Sequence, residues 1–212
     1  MKCRLLNSGD AAVLVEVAGI DEVLGLHAAL TAADLAGVID LVPAARTVLV
    51  QVTPGTPMEP LRTRLRQVAK DTGAVHADAS DDADGDVLVI PTVYDGPDLD
   101  AVAELTGLEA QEVVAAHTGQ SWRVAFAGFA PGFGYLVGGD VRLQVPRRDD
   151  PRTEVPAGAV GLAGEFSGVY PRVSPGGWQL IGRTELVMWD ETRDEPALLR
   201  PGGAVRFEQV DA

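Results

Sequence analysis

The sequence predicts an α+β protein in two parts, a small N-terminal α/β domain over residues 1–75 and a β-rich C-terminal domain over residues 87–212. Three observations carry this reading. Apolar stripes at helical spacing alternate with short strand-like runs in the first 75 residues. An acidic stretch at residues 76–86, nearly free of apolar side chains, then interrupts the pattern. From Arg123 onward short apolar runs alternate with Gly- and Pro-rich turns, the rhythm of a small β-barrel or sandwich with helices tucked against it.

In order along the chain, residues 3–6 and 11–17 read as a hairpin around the turn formers Asn7, Ser8, Gly9 and Asp10. A helix follows, with Asp21 as its cap, Val23, Leu24, Leu26, His27 and Leu30 as its stripe, and Gly37 beyond its end. Residues 38–42 and 47–52 form a second strand pair. Residues 58–72 form a second amphipathic helix, with Arg62, Arg64 and Arg66 on its wet face. The acidic stretch cannot join a core and reads as a linker; a metal loop would need spaced ligands and a closing glutamate, which it lacks.

Beyond the linker a strand is expected at 87–91 and helices at 99–105 and 108–116. Thr106 and Glu109 stand at capping-box spacing, and Gly119 is placed to end the second helix. Strands are then expected at 124–126, 159–162, 179–181, 185–189 and 205–207.

The formal net charge of -14 argues against nucleic acid or an anionic membrane as partner, because such partners demand a basic surface. Cys3 is the lone cysteine, so no internal disulfide forms and a reducing, cytoplasmic setting is expected. No apolar run is long enough to span a bilayer, and the first residues lack the apolar core of a signal peptide.

Two segments concentrate the residues suited to a ligand cleft. One is Phe129, Ala130, Pro131, Gly132, Phe133, Gly134 and Tyr135; the other runs from Tyr170 through Ser174, Pro175, Gly176, Gly177 and Trp178 to Arg183. Glycine allows close backbone approach, proline fixes the loop, and an arginine fork holds a carboxylate or phosphate in a defined plane. Arg123, Arg152 and Arg183 lie beside such loops and are better anion-binding candidates than the three helix arginines, although a surface ion pair is the competing reading for each. The aromatic residues form either an apolar wall for a small ring or barrel core. The Ser174–Gly177 turn is a candidate source of backbone N–H groups for an oxyanion.

His117, at the end of an expected helix, is a candidate acid, base or anion contact, since carbonyl dipoles there favour a protonated imidazole; helix capping is the competing role. His27 and His76 have weaker claims, one on a packed stripe and one in the linker. The chain has no Walker lysine motif, no Gly-x-Ser-x-Gly elbow and no paired metal histidines.

These residues resemble those of a known family, which takes in allophanate hydrolase subunit 1, KipI and the B component of the ATP-dependent 5-oxoprolinase. The matching pieces are Gly9-Asp10-Ala11-Ala12, His117-Thr118-Gly119, residues 129–136, Pro151-Arg152-Thr153 with Val155-Pro156-Ala157-Gly158, residues 170–184 and Leu199-Arg200-Pro201-Gly202. The resemblance implies a cyclophilin-like β-barrel after the small α/β domain, without implying prolyl isomerase activity. It implies a subunit that opens 5-oxoproline to glutamate at the expense of ATP with Mg2+ held by the complex. Its partners would be a second subunit of related barrel fold, similar to KipA or allophanate hydrolase subunit 2, and a third, LamB/YcsF-like subunit. His117 and the Ser174–Gly177 turn would polarise the amide oxygen, and Arg152 and Arg183 would hold the anionic group of a small anionic amide.

Other family roles are inhibition of a sensor histidine kinase and a part in urea carboxylase-related amide processing. At Gly164-Glu165-Phe166-Ser167 the chain departs from the smaller or amide residues common in the family, adding charge and bulk near the expected cleft.

Overall fold

A computed structural model describes residues 1–72 and 87–211, so the acidic stretch and His76 lie outside the described residues. The chain divides into two compact units, Met1–Asp81 and Asp82–Ala212.

The first unit is a four-stranded antiparallel sheet carrying two helices. Its strands are β1 (Arg4–Asn7), β2 (Ala12–Glu16), β3 (Val38–Pro43) and β4 (Thr47–Val52), in the order β1-β2-β4-β3. Alternation decides the inward face: Val13, Val15, Val48 and Val50 are buried, while Leu14 and Leu49 between them are only half-buried. Helix α1 (Ile20–Ala33) sinks Ile20, Val23, Leu26 and Leu30, and α2 (Met58–Asp71) sinks Leu61, Leu65 and Ala69. Asp21 is not the cap of α1. Gly19 holds that position, Asp21 sits in the first turn, and Glu22 accepts a hydrogen bond from the Ala18 backbone N–H at 2.8 Å. Arg62 also departs from expectation, because its side chain is only 11% exposed and donates to Asn7 Oδ1. Arg64 and Arg66 are exposed as expected.

The second unit is a seven-stranded sheet curled into a nearly closed barrel. It contains β5 (Leu88–Thr92), α3 (Leu99–Thr106), α4 (Ala110–Thr118), β6 (Trp122–Ala127), β7 (Gly134–Val137), β8 (Arg152–Val155), β9 (Ala159–Ala163), β10 (Phe166–Val169), β11 (Ser174–Gly176), β12 (Gln179–Arg183) and β13 (Ala204–Gln209). The strand order is β12-β9-β10-β7-β6-β13-β5, with β13 parallel to β5, and β8 pairs with β11 in a separate two-stranded ribbon.

The barrel closes because the chain leaving β5 runs along β12. Val93 and Arg183 exchange both backbone hydrogen bonds at 2.9 Å, and the Asp98 N–H donates to Leu180 O at 2.9 Å. Ile90, Leu136, Leu162, Ile181 and Phe207 fill the interior, capped by Val102 of α3 and Val113 of α4. This architecture is the α+β expectation, a small α/β unit followed by a barrel.

Two local expectations are corrected here. Residues 185–189 form no strand: among the described residues this segment makes a single isolated bridge, Trp189 to Ala197, and Val187 is 55% exposed. The capping box of α4 joins Glu109 and Glu112 instead of Thr106 and Glu109. Thr106 is the last residue of α3, its hydroxyl donates back to Val102 O at 2.8 Å, and Gly107 ends that helix at φ 71. Gly119 does end α4. Among the described residues no helix is long and apolar enough to cross a membrane.

Candidate functional site

The aromatic loop before β7 is a tight turn held by backbone bonds from the Gly128 N–H to Phe133 O and from the Phe133 N–H to Ala130 O. Phe129 sits in it at φ 66, a left-handed backbone that a bulky residue rarely adopts, and its side chain is 55% exposed. Phe133 is buried at the centre of a cluster of edge-to-face rings. Its ring centroid lies 5.3 Å from Phe129, 5.0 Å from Tyr135, 5.5 Å from Tyr170 and 5.4 Å from Trp178. Phe166 adds an edge against Tyr135 at 5.5 Å, so the bulk introduced at residues 164–167 enters this cluster. Pro131 lies exposed on the rim, whereas Gly132 is buried against Met188 and Trp189.

The Ser174–Gly177 turn meets the same cluster. Ser174 pairs with Val155 and Gly176 with Arg152 across the ribbon. A Cβ on Gly176 would lie 2.3 Å from Tyr170 Oη, so only glycine lets the turn close onto that tyrosine. The Arg148 N–H donates to Gly177 O at 2.8 Å and Gln179 Nε2 to Pro146 O at 3.2 Å, which stitches residues 146–148 along the turn. Burial raises the Tyr135 and Tyr170 phenols, and the charge of Arg147 opposes that rise at both.

Asp98, which sequence reasoning missed, organises the arginines. Its carboxylate is 2% exposed and accepts from Arg152 Nη1 at 2.9 Å, Arg152 Nη2 at 2.8 Å, Arg148 Nη1 at 2.7 Å and the Leu180 N–H at 2.7 Å. Burial works to raise its pKa, but the hydrogen bonds and the two guanidinium charges outweigh it and hold the carboxyl below the usual range. Arg152 therefore spends its fork on Asp98, which changes its expected role from holding substrate to fixing the ribbon. Nothing in the local sequence marks Asp98, since its partners lie about fifty residues downstream.

His117 and Arg183 are placed differently from the expectation of one shared mouth. The His117 imidazole is wholly buried, with Nδ1 2.7 Å from Tyr94 Oη, Nε2 2.8 Å from Ser167 Oγ and its ring centroid 4.2 Å from that of Phe207. Desolvation overrides the helix-terminus dipole and pushes its pKa down to about 3, so the ring is neutral, contrary to the protonated form anticipated. With both nitrogens occupied and no surface, it does not reach a ligand directly. The Arg183 guanidinium is engaged at the barrel seam, by Asp95 at 3.0 Å and Glu185 at 3.3 Å. Arg123 donates from Nε to Gly202 O at 3.4 Å, away from both loops in the hydrogen-bonding scheme. The site thus brings together Phe129, Phe133, Tyr135, the Ser174–Gly177 turn and Arg152, and leaves His117 in the core.

Comparison with known proteins sets this geometry in a family. The family described as carboxyltransferase domain, subdomain C and D, matches residues 3–199. The chain is 52% identical over 123 residues to the 5-oxoprolinase B component of Escherichia coli O157:H7, covering 57% of this chain and 56% of that protein. It is 44% identical over 127 residues to the 5-oxoprolinase B component of Bacillus subtilis, covering 58% of this chain and 53% of that protein. The chain therefore matches about half the length of these relatives. Among solved structures, that of TTHA0988 superposes with a TM-score of 0.73 at 35% identity, over 95% of this chain and 40% of the other. With a family match that runs through both units and nearly the whole chain, this protein belongs to the carboxyltransferase domain, subdomain C and D, family.

Proposed function

We propose that this chain is one subunit of an ATP-dependent 5-oxoprolinase, opening the lactam of 5-oxoproline to glutamate with partner subunits. One observation carries the reading: in a chain similar to the B components of two 5-oxoprolinases, the aromatic loop and the Ser174–Gly177 turn converge on Phe133, Tyr170 and Trp178. Those three rings are buried, and the exposed Phe129 and half-buried Tyr135 at the edge of their cluster offer the faces for a flat five-membered ring. The rings of Phe129 and Tyr135 would hold its faces, and backbone N–H groups of the Ser174–Gly177 turn would polarise the amide oxygen. Arg152 would keep the turn in register through Asp98, and His117 would serve as a positioning residue that ties α4 to β10 through Ser167.

A lactam resists water because its C–N bond carries double-bond character. ATP supplies the activation of its oxygen when bound by the complex. ATP and its Mg2+ are assigned to the complex as a whole. The partners would be a second barrel subunit of the KipA type and a LamB/YcsF-like third subunit, in the cytoplasm.

The test is co-expression with those subunits and measurement of ATP hydrolysis dependent on 5-oxoproline. Activity that falls at least tenfold in Tyr135→Ala supports the site. A purified three-subunit complex without 5-oxoproline-dependent hydrolysis would remove the reading.

A further inference from the structure

The barrel stays open along one stretch of its seam. Among the described residues β5 has a hydrogen-bonded strand on one side alone, that of β13. Successive residues of a strand turn their main-chain N–H and C=O to opposite edges. The Val210 N–H donates to Thr92 O at 3.0 Å, so Thr92 and, by alternation, Ile90 and Leu88 face β13. Val89, Pro91 and Val93 face the other edge. There Val93 exchanges both bonds with Arg183, Pro91 has no N–H to offer, and Val89 has no backbone partner among the described residues. Carried on in register from the Val93–Arg183 bridge, residues 185–189 would cover Val89, but they form no strand.

A groove of about 640 Å³ lies at this opening, lined by Val87, Leu88 and Val89 together with Leu198, Leu199 and Arg200. Arg200 is the one charged residue in its lining among the described residues, and it meets Glu195 at 2.5 Å in an exposed pair of little strength. On the outer face of the sheet, register sets Arg206 opposite Val89, and Arg123 on the next strand opposite Ala204. Neither joins an ion pair among the described residues, and Glu208 stands opposite Pro91, past the free stretch. Open main-chain groups beside an apolar groove fit an extended peptide, which offers N–H and C=O at strand spacing. In a chain with a formal net charge of -14, this local surplus of arginine selects acidic side chains on that peptide.

We propose that the groove takes an extended segment of a partner protein, in which apolar residues alternate with acidic ones, paired edge to edge with Val89. Its apolar side chains enter the groove, and the acidic ones between them lie on the outer face that carries Arg206. The assignment does not rest on the 5-oxoprolinase reading.

The experiment is hydrogen exchange of the full chain, read at single amides by NMR. In the free chain the Val89 amide should exchange at least about tenfold faster than that of Ile90, which donates to β13. The probe is an acetylated, amidated hexapeptide in which valine alternates with glutamate. It should give saturable shifts at residues 87–89 and slow Val89 exchange at least about tenfold. The same peptide N-methylated on its pairing edge, or carrying lysine for glutamate, should bind at least about tenfold more weakly. Val87 precedes the strand and is 46% exposed, so Val87→Glu should keep the free spectrum outside the groove while abolishing binding. Any one of four results would overturn the proposal: Val89 as protected as Ile90 in the free chain, no response to the glutamate peptide, equal binding of the N-methylated peptide, or equal binding of the lysine peptide. Protection of Val89 that rises with the concentration of the chain alone would also overturn it, because a second copy would then be the occupant.

Discussion

Arg152 grips Asp98 with both terminal nitrogens, Nη1 to Oδ2 at 2.9 Å and Nη2 to Oδ1 at 2.8 Å, and so locks the β8–β11 ribbon to the start of α3. Removing the buried carboxylate strands two guanidinium groups and the Leu180 N–H together. Asp98→Ala should therefore cost about 3 kcal/mol in urea unfolding, the low end for a broken buried pair because the arginines keep some contact with water. The carboxyl is held below its ordinary range in the folded state. Its contribution is thus full above about pH 4, the unfolded value, and is lost as the pH falls through the lower folded one. Asp98→Asn should remove that acid-dependent part.

His117 gives a second, separable pH dependence. Burial places its folded pKa at about 3, against an ordinary value of 6.5. The unfolded chain then binds the extra proton across that window, so stability is full above pH 6.5 and falls as the pH drops toward 3. The limiting slope is about 1.4 kcal/mol per pH unit. Denaturant unfolding at about pH 7.5, 6 and 5 should show the decline, and His117→Gln should flatten it relative to wild type. An unchanged slope in that variant would show that the ring is not the group that titrates.

Gly176 tests the closure of the turn onto Tyr170. An added methyl would lie 2.3 Å from the phenol oxygen, so Tyr170 or the ribbon must move. Gly176→Ala should destabilise the chain by about 1–3 kcal/mol. It should also disturb the near-ultraviolet circular dichroism of the ring cluster, whereas Gly19→Ala, in the first unit with extended backbone and nothing within 4 Å, should leave that signal alone.

The sheets and helices that obey simple periodicity were legible in the chain: β2, β4, α2 and β9 fall where their apolar spacing puts them. The short strands β7, β8, β10 and β11 were hidden, because Gly134, Pro175 and Gly176 lie within strands and read as turn residues while partners far along the chain supply their ladders. The site was half visible for the same reason. Aromatic and glycine-rich loops stand out locally, so Phe133 and the Ser174 turn were found together. Asp98 escaped because a single carboxylate before a helix looks like any cap, and only folding brings Arg148 and Arg152 to it. His117 was misjudged in charge because helix ends are local while desolvation by Phe207, Trp122 and β10 is not.

Phe129 is the sharpest test of whether the aromatic loop serves a ligand. A left-handed backbone costs a bulky residue about 1–2 kcal/mol, and a side chain 55% exposed recovers only part of that by packing its edge on Phe133 and Tyr170. Phe129→Gly relieves the strain and gives up that packing, so its stability should lie within about 1 kcal/mol of wild type. Phe133→Ala, by contrast, empties the centre of the cluster and should cost about 3–5 kcal/mol. If the strain is kept so that the Phe129 ring can cover a bound ring, Phe129→Gly should raise the KM for 5-oxoproline in the reconstituted complex at least fivefold with little change in thermal midpoint. Unchanged KM together with a clearly lowered midpoint would mean that Phe129 serves packing alone.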